Sequence, residues 1–346
     1  MSKIAVHSLP LVDVIKDFAE AFTTTYTENC GEYHLDLPPH IGEGHIKGIS
    51  FDGGFGLILY KCTFLEDMEF KFVVDEIHPL KFLYCLKGEL EHFFQNSETS
   101  NTIEQYQSSI VASKNTNGHI LHFKANIETQ IGSLEINRKI FQKKIECELK
   151  SLADELKDLF KDFEASTEFY HDGYFSLEIA DLFREIEKFE SNDFIRHIYL
   201  EGQTYKILTH QIIQYQDDLN DYANRSLLRQ SEIALIDKTT AIIETELESL
   251  EPVDSLAARV GLNVNKLQQG FKYLYGCTVN EYIQKHRLEL AKRLLLSTEL
   301  NITEIIDMLG LSSKSYFSKI FKQAFALSPS EFKKKNRNER KKNAHT

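Results

Sequence analysis

Asn265, Lys266, Gln268, Gln269 and Lys272 lie on one face of a short helical pattern. Ser315, Ser318, Lys319 and Lys322 follow fifty positions after Asn265, Gln268, Gln269 and Lys272. Amides, hydroxyls and ammonium groups can hydrogen-bond to base edges and phosphates, and the major groove of B-DNA is wide enough to admit the helix that carries them. Asn and Gln suit adenine, and Lys suits guanine or phosphate. In the first copy Leu267, Phe271 and Leu274 fall at i, i+4 and i+7 and are expected inward; in the second Phe317, Phe321 and Ala324 are expected inward. A single polar face would mean no more than contact with water. Its repetition at a fixed offset favours a partner that is itself repetitive.

The elements that must position these residues are written twice. Leu256-Ala-Ala-Arg-Val-Gly261 and Ile305-Ile-Asp-Met-Leu-Gly310 each read as a short apolar helix ending at glycine, and each is followed by one of the polar-faced helices. Helix, turn and helix is the pattern of a helix-turn-helix unit. Between the two units, Thr278 to Leu296 carries a broad apolar face that includes Tyr282, Leu288, Ala291 and Leu295. A helix of about 18 residues spans roughly 27 Å, and successive major-groove faces recur about every 34 Å. The connector is therefore sized to set two reading helices into adjacent turns of one duplex. Lys285, Arg287, Lys292 and Arg293 sit on it and are expected to form internal ion pairs or to meet phosphate.

Charge supports the same partner only after it is divided. The whole chain of 346 residues is acidic, with 40 Lys and Arg against 52 Asp and Glu. From Pro252 to the end the count is 17 against 8, or +9, which leaves 23 against 44, or -21, for the first 251 residues. A basic module on an acidic body is expected when only one end touches phosphate. Much of the basic excess comes from the run Lys333 to Lys342, without which the module is near neutral.

No apolar run approaches the roughly 18 residues needed to span a bilayer, and Met1 to Lys16 lacks the layout of a signal peptide, so no membrane partner and a cytoplasmic location are expected. The five cysteines show no CxxC or zinc spacing and are expected as buried free thiols.

From about Phe51 to Ile136 short alternating runs predict strands. Phe70 to Val74, Phe82 to Leu86, Glu89 to Phe94, Ser109 to Ala112, His119 to Phe123 and Ile127 to Ile136 are the candidates, with Lys87-Gly88 as a hairpin turn. Many short strands favour a barrel or sandwich. Near Ile140 the period changes: Ile145, Leu149, Leu152, Leu156, Leu159 and Phe163 predict one helical stripe. Helices are predicted over Ser176 to Glu190 and Asp193 to Leu219, the latter with Ile198, Tyr205, Leu208, Ile212 and Tyr215 on one side. Gln216 to Ser226 reads as a linker, Ser231 to Leu250 as a helix, and Pro252 as its end. The middle helices are expected to pack within the chain and to offer a homodimer seam matched to paired half-sites.

The run Phe271-Lys272, Gly276, Glu281-Tyr282-Ile283, Arg287-Leu288, Ala291, Leu294-Leu295, then Ile305, Gly310, Ser315-Tyr316-Phe317-Ser318, Phe321-Lys322, Ser328-Pro329 and Phe332-Lys333 resembles the C-terminal domain of AraC/XylS-type transcriptional regulators. The resemblance covers about Ser231 to Lys335. It implies seven helices with two helix-turn-helix units, binding to double-stranded promoter DNA, and RNA polymerase as a partner. The chain departs from the family pattern at Ile306, where alanine is usual, at Leu311, where phenylalanine is usual, and at Ala326, where glycine usually ends the second reading helix. The N-terminal half is similar in outline to the cupin-like sensor domains of these regulators. Its layout around Leu86-Lys87-Gly88, Ser176-Leu177 and Tyr199-Leu200-Glu201 is similar to the siderophore-responsive branch typified by the pyochelin regulator.

The expected fold is thus a multidomain α+β chain. It comprises an N-terminal cupin-like β-barrel sensor over 1–140, a helical connector over 141–225, and an all-α DNA-binding domain over 231–337. The expected function is ligand-controlled regulation of transcription, the ligand being a small molecule such as an iron-chelate. The alternative is a metal-dependent cupin enzyme fused to a DNA-binding domain, suggested by His34, His40, His45, His78, His92, His119 and His122. Such an enzyme calls for an HxH pair and a carboxylate. The chain has no HxH, and His119 and His122, three apart on a strand, point to opposite faces. No cofactor, no metal site and no catalysis are therefore expected.

Overall fold

The computed structural model describes residues 2–7, 11–73, 78–97, 99–145, 149, 152–220 and 230–335. Val74, Cys147, the end of the expected linker and the basic run beyond Lys335 lie outside them. The chain divides into two compact units, 1–225 and 226–346.

In the first unit the strands are β1 (Ser2–Val6), β2 (Thr27–Asn29), β3 (Glu32–Asp36), β4 (Gly42–Phe51), β5 (Phe55–Phe64), β6 (Met68–Phe72), β7 (Leu80–Lys87), β8 (Glu89–Phe94), β9 (Ser100–Glu104), β10 (Gln107–Ala112), β11 (His119–Phe123), β12 (Thr129–Ile136) and β13 (Phe169–Phe175). They form two open sheets, ordered β1-β6-β11-β8-β9 and β13-β10-β7-β12-β5-β4-β3-β2, so the closed barrel expected from the sequence is not formed. The expected hairpin at Lys87-Gly88 is also overturned. β7 pairs with β10 and β12 in one sheet, while β8 pairs with β9 and β11 in the other. Gly88 makes this corner at φ +76, where an added Cβ would meet the Glu128 carbonyl oxygen at 2.6 Å. The glycine signal is real, but it marks a change of sheet.

One core lies between the inner faces of the two sheets and is closed by helix α1 (Leu11–Ala21), whose Leu11, Val14, Ile15, Phe18 and Ala19 follow a helical period and are buried. Its centre is aromatic: Phe70 lies 4.6 Å from Phe18, 5.1 Å from Phe123 and 5.8 Å from Phe64 between ring centres.

The continuous stripe from Ile145 to Phe163 is in fact two helices, α2 (Arg138–Ile145) and α3 (Asp154–Lys161), with Leu152 in neither. Leu156 and Leu159 keep their buried face. Helix α4 (Leu177–Lys188) is capped by Ser176, and its Phe183 packs where a Cβ on Gly132 would lie 2.3 Å away. Helix α5 (Asp193–Asn220) is latched to the strands: Arg196 meets both carboxylate oxygens of Glu32 at 2.7 and 2.8 Å, Gln211 donates to the Leu83 carbonyl, and His171 lies 3.0 Å from Asp218. Leu208 and Tyr215 are buried as expected, whereas Ile198 is 53% exposed, because the helix turns its opposite side to the sheet there. Cys62 and Cys85 are buried thiols; Cys30 is exposed, contrary to expectation, beside the β2 to β3 turn.

The histidines separate as alternation requires. His119 is buried, while His122 is half-buried on the other face, 2.8 Å from Glu91. His78 and His92 are buried with His119, and among the described residues no three metal-ligating side chains are gathered into a cage. Burial disfavours the charged imidazole, holding His92 down to about 3 and His78 to about 4. An exposed histidine titrates near 6.5, so the unfolded chain takes up these protons first. Stability is therefore complete above that value and falls as pH drops from there toward 4. The slope is about 1.4 kcal/mol per pH unit for each histidine. Urea midpoints of the N-terminal unit measured by circular dichroism should decline across this window, and His92→Phe should make the decline shallower; a flat profile would contradict the buried neutral rings.

Candidate nucleic-acid interface

The second unit contains α6 (Gln230–Thr245), α7 (Val253–Val260), α8 (Val264–Tyr275), α9 (Val279–Ser297), α10 (Ile302–Met308) and α11 (Lys314–Phe325), and residues 329–335 are also helical. The local chemistry of each boundary is visible in the sequence. Asn263 accepts from the Lys266 amide at 2.8 Å to start α8, and Ser313 accepts from the Tyr316 amide at 3.2 Å to start α11. Thr278 with Glu281 and Asn301 with Glu304 form capping boxes for α9 and α10. Gly261 closes α7 at φ +83 and Gly276 closes α8 at φ +67, the left-handed conformation that glycine adopts without strain. Gly310 makes the second turn at φ +63, and a Cβ there would sit 2.4 Å from the Glu248 carbonyl oxygen.

Helices α7 and α8 bury Leu256, Ala257, Val260, Leu267, Phe271 and Leu274, and Phe271 meets Tyr282 of α9 edge-on at 5.2 Å. Further along, the same α9 contributes Leu288, Ala291 and Leu295 to a second cluster with Ile305, Phe317 and Phe321. The connector thus belongs to both cores. Ile306 and Leu311, the two unusual apolar residues, pack against that second cluster together. Ala324 corrects the expected inward set: it is exposed, and Ile320 is buried in its place. Phe325 and Phe332 fill the end of this core, Phe325 tilted against Phe321 at 4.6 Å and Phe332 edge-on to it at 5.5 Å, so a methyl group at 324 has nothing left to cover.

The polar faces divide by what their side chains do. Asn265, Gln269, Ser315, Lys319 and Lys322 are exposed, and among the described residues their side chains make no hydrogen bond or ion pair within the chain. Ser318 is half-buried. Lys266 is committed to α6, 3.0 Å from Glu232. Gln268 accepts from the Val279 amide at 3.2 Å, helping to start α9, and Lys272 donates to the Gly276 carbonyl at 3.1 Å. Sequence reasoning passes over Tyr316, 48% exposed in the first turn of α11, although it stands within the quoted family run. Tyr316 and half-buried Arg287 share a cleft with Asn280, Gln284 and Leu311. Desolvation lowers the Arg287 pKa. On α9, Lys292 is 3.9 Å from Glu289, a loose internal pair.

Residues 256–335 match the family described as a helix-turn-helix domain, and residues 43–222 match the family described as regulatory protein PchR N-terminal domain. The chain belongs to the AraC/XylS-type regulators, with an N-terminal part of the PchR kind. This AraC/XylS-type chain is 37% identical over 93 residues to a probable transcription factor, PqrA, of Proteus vulgaris, a match spanning 26% of this chain and 76% of that protein. It is 38% identical over 81 residues to the xylose operon regulatory protein of Escherichia coli (strain K12), spanning 23% of this chain and 21% of that one. A crystal structure of an AraC-type transcriptional regulator from Chromobacterium violaceum is 25% identical, covering 31% of this chain and 96% of that chain at a TM-score of 0.29. Among the described residues no helix is long and apolar enough to cross a membrane.

The departure at Ala326 has a measurable cost. It ends α11 at φ +61, the left-handed region in which a Cβ costs roughly 1 kcal/mol or more. Ala326→Gly should therefore raise the midpoint of the C-terminal unfolding transition, and Gly276→Ala should lower it, in calorimetry of the full chain. An Ala326→Gly variant no more stable than the parent would contradict the strain.

Proposed function

We propose that this chain is a sequence-specific regulator of transcription that reads double-stranded promoter DNA with α8 and α11. It acts as a homodimer under the control of a small ligand held by its N-terminal unit. RNA polymerase is the partner that such a regulator addresses. The observation that carries this reading is the pairing of two capped helices at a fifty-residue offset, each burying its apolar face and leaving Asn265 and Gln269, or Ser315, Lys319 and Lys322, facing solvent. The names of the relatives support it, as the Proteus vulgaris protein is described as a transcription factor and the Escherichia coli protein as an operon regulator. An iron-chelate is the ligand class suggested by the resemblance to the siderophore-responsive branch.

In this reading Gln269 and Lys319 contact base edges, and Lys322 and the basic run from Lys334 contact phosphate, Lys333 being held by the Glu299 and Leu300 carbonyls. Lys266, Gln268 and Lys272 act mainly by holding the reading helix in place. A ligand shifts the equilibrium between DNA-competent and DNA-incompetent arrangements only by its difference in affinity for the two.

Selection of bound genomic fragments, with and without iron-chelates, should return a direct-repeat motif whose recovery depends on the ligand. On that motif Gln269→Ala or Lys319→Ala should cost about 1 to 3 kcal/mol and relax preference at particular base pairs. Removing the basic run should weaken cognate and random DNA alike and flatten the salt dependence, by a slope of roughly 0.9 for each phosphate no longer neutralised. Equal losses on cognate and random DNA for the first two substitutions would remove their base-reading role.

A further inference from the structure

Helix α9 gives its apolar sides to the two cores, but Asn280, Gln284 and Arg287 fall at i, i+4 and i+7 and share another face. Their side chains make no hydrogen bond or ion pair among the described residues. All three line an open cleft of about 410 Å³, together with Tyr316 and Ile320 of α11, Leu311 of the turn before it, and residues 250–253 at the start of α7. This polar face runs between the two reading helices. At one end Asn280 follows Val279, whose amide is held by Gln268 of α8. At the other, Arg287 feels the charge of Tyr316, which precedes exposed Lys319 by one turn of α11. Seven residues of helix set these ends about 10 Å apart.

A guanidinium is a planar cation with five N–H donors and no acceptor, so one that has lost part of its water is normally met by a carboxylate, a phosphate or a carbonyl. Arg196 and Arg259 each meet both oxygens of a glutamate. Half-buried Arg287 meets none among the described residues. The two carboxylates at the cleft are committed elsewhere: Glu281 accepts from the amide and hydroxyl of Thr278 at 2.7 and 2.9 Å, and exposed Glu251 lies in the field of Arg259. The facing wall is the first turn of α7, which has no side-chain cap and presents the positive end of a helix. Two amides, a phenol and a guanidinium around an open space suit a phosphodiester, which carries one negative charge and accepts through its oxygens. A duplex supplies one at the right place. Between two successive major-groove faces the sugar-phosphate backbone must pass the helix that joins α8 to α11.

We infer that Arg287, with Asn280, Gln284 and Tyr316, seats a backbone phosphate of the duplex between the two major-groove segments, making the connector a third DNA-contacting surface. The inference rests on reading α8 and α11 as the DNA-facing helices. Binding of the full chain to a mixed-sequence duplex long enough for two successive major-groove faces, titrated between about 50 and 200 mM potassium chloride, tests it. Arg287→Met should bind roughly tenfold more weakly and lower the salt slope by about 0.9, whereas Arg287→Lys, which keeps the charge, should retain the slope. Tyr316→Phe should cost about threefold. Asn280→Asp separates binding from folding: a carboxylate in the first turn of α9 favours the helix, so the melting midpoint of the C-terminal unit should hold or rise while duplex affinity falls. Inorganic phosphate alone should not raise that midpoint as the duplex does. The inference is overturned if Arg287→Met and Asn280→Asp bind with the parent's affinity and slope, if Arg287→Lys loses as much slope as Arg287→Met, or if inorganic phosphate protects as well as the duplex. Failure of the parent to bind any duplex removes the reading of α8 and α11 as well, whereas unaltered variants beside a binding parent remove only the contact at the connector.

Discussion

Helix α9 has to satisfy two cores at once, and the whole C-terminal unit depends on that constraint. Its first half gives Tyr282 to the cluster around Phe271, and its second half gives Leu288, Ala291 and Leu295 to the cluster around Phe317 and Phe321. Protein interiors are close-packed, so neither helix-turn-helix unit can rotate about the connector without opening voids in its own core. The relation between α8 and α11 is set by apolar packing, not by the polar residues on their outer faces. The same division explains why Lys266, Gln268 and Lys272 sit on the polar face of α8 yet spend their polar atoms on Glu232, Val279 and Gly276.

The C-terminal unit is the most legible part of the sequence, because its information is local. Caps at Asn263, Thr278, Asn301 and Ser313 and the glycines at 261, 276 and 310 each lie within a few residues of the boundary they specify. What local pattern does not supply is competition for space. Ala324 has the right spacing to be buried and loses its place to Phe325 and Phe332, the second of which arrives from beyond the helix. The side-chain commitments of Lys266 and Gln268 are hidden for the same reason, since their partners lie 34 and 11 residues away in the chain.

The N-terminal unit is legible as strands and much less so as sheets. The runs at Phe82, Glu89 and His119 become β7, β8 and β11, but alternation fixes which way a side chain points and not which strand lies beside it. A glycine between two apolar runs suits a tight hairpin and a corner between sheets equally well, and at Gly88 the corner prevails. β13 escapes notice because Phe169 to Phe175 holds His171, Asp172 and Gly173 and alternates poorly, yet it completes an edge beside β10. The sequence shows that His119 and His122 share no strand face, but spacing gives no sign that His92 and His119 approach across β8 and β11.

The C-terminal ends of α8 and α11 are not equivalent. At α8 a glycine relaxes the turn and the Lys272 ammonium ties down the last carbonyl; at α11 an alanine is bent into a conformation that its own methyl group resists. Local opening is easiest where the backbone is strained, so on warming α11 should come loose at its far end before α8 does, and the two halves of one unit need not melt in step.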